Sequence, residues 1–77
     1  MTSVTVKINS IEKIKDFVNA ITSFDNDFDL VQDRYVIDAK SIMGIFSLDT
    51  SQDLTLKIHK DKDLDGIYAT LDEFIVK

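Results

Sequence analysis

Side chains able to do chemistry are few in this sequence of 77 residues, and their spacing argues against a catalytic site. The lone histidine, His59, has no second imidazole at metal-ligand spacing. Cysteine is absent, which excludes a thiolate nucleophile, a disulfide framework and a cysteine metal site. The carboxylates are scattered along polar faces and loops, and Gly44 and Gly66 form no phosphate-cradling loop. The chain is therefore not expected to be an enzyme, and no cofactor or metal is expected. One stretch stands apart: DAKSIMGIFSLD, Asp38 to Asp49. Ser41 there precedes Ile42, Met43, Ile45, Phe46 and Leu48, a run apolar almost all the way round. The serine suits a helix N-cap, its hydroxyl accepting an unpaired N–H of the first turn.

The elements that carry these residues follow from two periodicities. Val4, Val6 and Ile8 alternate with polar residues, as in a half-buried strand. Ile11, Ile14, Phe17, Val18 and Ile21 then recur at helical spacing behind Ser10, a good N-cap. Asp25 and Asn26 favour a turn. Phe28 and Leu30 resume alternation, and Asp33-Arg34 is expected at the tip of a hairpin that returns through Tyr35 and Ile37. The short helix around Ile42 to Leu48 and a loop follow, then an alternating strand with Leu54, Leu56 and Ile58. Leu64, Ile67, Tyr68, Leu71, Phe74 and Ile75 predict a last helix, capped by Asp61 or Asp63 and weakened at Gly66.

This order, β-α-β-β-α-β-α, predicts an α+β open-faced two-layer sandwich: a four-stranded antiparallel or mixed sheet with the helices on one side. The other side would carry Thr5, Lys7, Asp27, Asp29, Thr55 and Lys57 in water. Residues 1–77 are expected to form a single domain. Fourteen acidic residues against nine basic give a net charge of −5, which disfavours a nucleic-acid partner. No apolar run reaches membrane-spanning length and the first residues alternate unlike a signal peptide, so a cytoplasmic protein without membrane contact is expected.

KSIMGIFSL, Lys40 to Leu48, resembles the region around the regulatory serine of the histidine-containing phosphocarrier (HPr) family of the bacterial phosphotransferase system. That family's pattern there is close to Lys-Ser-Ile-Met-Gly-Val-Met-Ser-Leu, and its fold has the same order of elements. The resemblance runs without obvious gaps from Val4 to about His59. It implies a histidine at the head of the first helix that takes a phosphoryl group from enzyme I and passes it on, followed by an arginine. Counted back from Ser41, the histidine position holds Ser10 and the arginine position holds Glu12. A serine hydroxyl forms a far less transferable ester than an imidazole, and Glu12 would repel the phosphoryl group that arginine attracts. Histidine phosphorelay is therefore expected to be lost, and His59, between Lys57 and Lys60 on the outward side of its strand, reads as a solvated residue that does not replace it.

The resemblance also makes Ser41 a candidate regulatory phosphorylation site, where a helix N-terminus would stabilise the added charge. By spacing, Ile45 and Leu48 would face the sheet, and Ile42, Met43 and Phe46 would face outward as a partner-docking patch. The leading expectation is a regulatory or adaptor module working by protein contact, with phosphotransferase-system or regulatory proteins as partners. The alternative is a phosphotransferase-system phosphoprotein modified at Ser41. A remote third, an acyl-carrier-like protein, is suggested by length and acidity. It is opposed by the alternating strands and by Phe46 standing where a carrier's Asp-Ser-Leu site needs aspartate.

Overall fold

The computed structural model describes residues 2–60 and 62–76. The first alternating segment forms β1 (Thr2–Val6), and the change to helical spacing forms α1 (Ile11–Thr22). Ser10 caps α1, its Oγ accepting the Lys13 N–H at 3.1 Å. β2 (Phe28–Gln32) and β3 (Tyr35–Asp38) make the expected hairpin. Asp33 at its tip takes φ 55°, a left-handed conformation that aspartate tolerates better than most residues. α2 (Ile42–Phe46), β4 (Leu54–Ile58) and α3 (Leu64–Leu71) complete the chain. Among the described residues no helix is long and apolar enough to cross a membrane.

The sheet is antiparallel with strand order β1-β4-β2-β3. Its register aligns Val4, Leu56, Leu30 and Ile37 in one row across all four strands. The next row, Thr5, Thr55, Val31 and Val36, falls on the opposite face because side chains alternate along a strand. Val6, Phe28, Leu30, Leu54, Leu56 and Ile58 are thereby buried beneath Ile14, Phe17 and Ile21 of α1, Ile45 of α2, and Ile67 and Leu71 of α3. The helices thus cover one face only, and the sandwich is open on the other.

Departures from the expected elements have physical causes. Ile11 continues the α1 stripe by spacing yet is 62% exposed, because the first turn of the helix extends beyond the packed core. α3 stops at Leu71, so Phe74 and Ile75 are not helical. Ile75 instead bridges Val6, with the Lys7 N–H donating to the Phe74 carbonyl at 2.8 Å and the Val76 N–H to the Thr5 carbonyl at 2.9 Å. This tail covers the Thr5–Lys7 end of the outer edge of β1 and seats Phe74 edge-on against Phe17, 5.6 Å between ring centres. Asp63 stands at the head of α3 but with φ 58° its side chain makes no capping bond, and Asp61 lies outside the described residues. Asn26, buried at 3% exposure, instead holds the connection from β4 to α3. Its Nδ2 donates to the carbonyls of His59 (3.3 Å), Lys60 (3.0 Å) and Lys62 (3.0 Å).

Candidate functional site

The head of α1 opens onto a shallow depression lined by Ser10, Glu12, Lys13, Asp16, Glu73 and Phe74. Ser10 is exposed, and its hydroxyl oxygen is engaged as the helix cap. Three carboxylates face this depression against one ammonium group, so it disfavours a dianionic phosphoryl group despite the helix N–H groups. No imidazole is near. β1 starts across from Ile58 and ends across from Leu54, so α1 leaves the sheet at the end where β4 begins, whereas His59 follows the far end of β4.

His59 is not simply solvated. Its Nε2 donates to Asp29 Oδ2 at 2.6 Å, and each side chain is about one-third exposed. The pair lies on the open face of the sheet, beside Asp27, Asp38 and Lys60. Spacing along the chain pairs no residue with this ring. The register supplies one by placing Phe28 across from Ile58, which brings Asp29 diagonally next to His59.

Ser41 is exposed and caps α2, its Oγ accepting the Gly44 N–H at 3.2 Å. Space at Gly44 is tight. A Cβ there would stand 3.3 Å from Ser41 Oγ and 3.5 Å from Ile37, so the helix lies close against β3. Lys40 anchors the approach to α2, its Nζ donating to the Phe24 carbonyl at 2.9 Å and standing 5.6 Å from the Phe28 ring centre. On the far side, Gln32 and Asp49 exchange two hydrogen bonds, of 2.8 and 2.9 Å.

α2 divides much as its spacing implied. Ile45 and Leu48 are buried, while Met43 is 74% and Phe46 46% exposed. Ile42 departs from the expectation: it is half-buried and packs against the core, because α2 also contacts α1. Ile11, at the head of α1, falls on the apolar stripe by spacing yet is exposed and adds to the apolar surface. Ser10, Glu12, Ile11, Ser41, Met43 and Phe46 thus belong to the exposed parts of two packed helices, and His59 belongs to a different region of the molecule.

Comparison with known proteins gives a consistent picture. The family model described as the PTS HPr component phosphorylation site matches residues 11–76, beginning one residue after Ser10. Among solved structures, HPr-C-His from Thermoanaerobacter tengcongensis is 29% identical, with 95% of this chain and 89% of that chain covered and a TM-score of 0.77. The phosphocarrier protein HPr from Bacillus anthracis is 24% identical over 97% and 94% of the two chains, with a TM-score of 0.71. The mycoplasma histidine-containing phosphocarrier protein shares the fold at 13% identity over 94% and 86%, with a TM-score of 0.70. No curated protein sequence matches significantly.

Proposed function

Given that the chain belongs to the HPr family, whose members are phosphocarriers of the phosphotransferase system and not catalysts, we propose that it is a regulatory or adaptor module that works by protein contact without histidine phosphorelay. The observation that carries this reading is the head of α1. The residue there is Ser10, which caps the helix among Glu12, Asp16 and Glu73. Neither a transferable phosphoramidate nor attraction for a phosphoryl dianion is available at that position. Met43, Phe46 and Ile11 offer apolar surface to a protein partner, with Ile42 supporting them from the core side. The proposed setting is the cytoplasm, with phosphotransferase-system or regulatory proteins as partners.

The test is incubation with enzyme I and phosphoenolpyruvate, followed by intact-mass measurement. The expected result is an unchanged mass. An acid-labile phosphoryl adduct refutes the reading.

A second reading has its own support. Ser41 is exposed, and its oxygen accepts a helix N–H, so its O–H remains available for phosphorylation by a serine kinase. Labelling at Ser41 by a kinase that modifies HPr supports it, and an unlabelled Ser41 removes it.

A further inference from the structure

The two edges of the sheet are treated differently. The tail at Phe74, Ile75 and Val76 pairs with the Thr5–Lys7 end of β1, whereas β3 pairs with β2 alone among the described residues. An uncovered edge strand presents unpaired N–H and C=O groups to any strand that can align with it. On β3 that edge is also apolar: Tyr35 and Val36 are each 61% exposed.

Which groups point outward follows from the ladder. The Ala39 N–H donates to the Phe28 carbonyl at 2.9 Å, in step with the pairing of Ile37 with Leu30 and Tyr35 with Gln32. Hydrogen-bonded pairs alternate with non-bonded ones along an antiparallel ladder, so the backbone groups of Val36 and Asp38 face away from β2. The Asp38 carbonyl is already taken by the Ser41 N–H at 3.0 Å, but its own N–H is directed outward.

We infer that β3 is a self-association edge, on which a second copy of this chain pairs antiparallel about a two-fold axis at Val36. Outward-facing groups at residues 34, 36 and 38 allow such an axis at any residue from 34 to 38, on a hydrogen-bonded or a non-bonded pair. An axis at Tyr35 sets Arg34 against Val36 and one at Ile37 sets it against Lys40, so neither pairs opposite charges. An axis at Arg34 sets arginine against arginine, and one at Asp38 sets aspartate against aspartate. The axis at Val36 places each Arg34 opposite the other copy's Asp38, on the open face of the sheet. It places Val36 on Val36 between those two ion pairs. On the helix side it sets each exposed Tyr35 opposite the other copy's Ile37. The Val36 N–H and C=O groups bond reciprocally, and each Asp38 N–H reaches the other copy's Arg34 carbonyl. End charges usually guard a short edge strand against pairing; here their opposite signs favour the Val36 register over its neighbours. The result is a continuous sheet through two copies, with the surfaces of α1 and the Ser10 depression left outside the contact.

Sedimentation of the full chain over a wide concentration range tests this. The expected result is a mass that rises from one chain toward two with concentration. Val36→Lys should hold the protein at one chain throughout, with unchanged circular dichroism and melting temperature. Arg34→Asp and Asp38→Arg should each weaken association at least tenfold, and the two together should restore it. The inference is overturned if the native chain stays at one copy throughout, if Val36→Lys still associates, or if the double exchange fails to recover association while remaining folded. It is equally overturned if Met43→Ser with Phe46→Ser abolishes association, which would assign it to α2.

Discussion

Replacing Asn26 by aspartate changes almost no volume but reverses the role of one atom. The amide nitrogen donates to the carbonyls of His59, Lys60 and Lys62 at 3.0 to 3.3 Å from a site only 3% exposed. Losing these bonds costs about 1 kcal/mol for each of the amide's two hydrogens. Setting a buried carboxylate against three carbonyl oxygens adds an uncompensated charge, and the total for Asn26→Asp comes to roughly 3–5 kcal/mol. That is a large part of the stability of a small domain, which starts near 5 kcal/mol. Asn26→Ala removes the donors without introducing a charge and should cost roughly 2–3 kcal/mol. Urea unfolding followed by circular dichroism reads both as a fall in midpoint at unchanged slope. Acid should narrow the gap between the two variants, because protonating the introduced carboxyl returns a donor to the site and removes its charge. The reasoning fails if Asn26→Asp unfolds at the native midpoint, or if alanine proves as damaging as aspartate at neutral pH.

Other substitutions separate local effects from packing. Gly66 has an ordinary negative φ and room for a Cβ, 3.7 Å from Phe24, so Gly66→Ala should stabilise α3 by up to about 1 kcal/mol and raise the melting temperature by about 4–8 °C. Met43→Ser with Phe46→Ser should leave stability within about 0.5 kcal/mol per site while removing partner binding in a pull-down with phosphotransferase-system proteins. Ile45→Ala, at the fully buried position beside them, should cost about 2–5 kcal/mol in the same denaturation assay. Ser10→Ala should lower stability by about 1 kcal/mol through loss of the α1 cap and leave the enzyme I reaction as unproductive as before.

The order of elements and the inward face of each strand were legible from alternation and helical spacing, since these record which side chains must leave water. Both serine caps could be read for the same reason: Ser10 and Ser41 act on N–H groups three residues along their own helices. Ile11 shows where that reading stops. Its spacing is that of a core residue, but whether anything packs over the first turn of a helix depends on where the helix ends relative to the sheet. Phe74 and Ile75 make the same point at the other end of the chain, where a stripe that reads as helix is buried by pairing with β1.

The sequence by itself determined the α+β layers, the absence of thiol chemistry, and a serine and a glutamate at the head of the first helix. Those properties reside in residue identity and in neighbours a few positions apart. Only the tertiary structure decided that Asp29 meets His59, that Asn26 holds the turn into α3, and that β3 is an uncovered edge among the described residues. Each depends on strand order and register, which bring together residues about thirty positions apart. Many strand orders bury the same apolar faces, so hydrophobic patterning alone does not select among them.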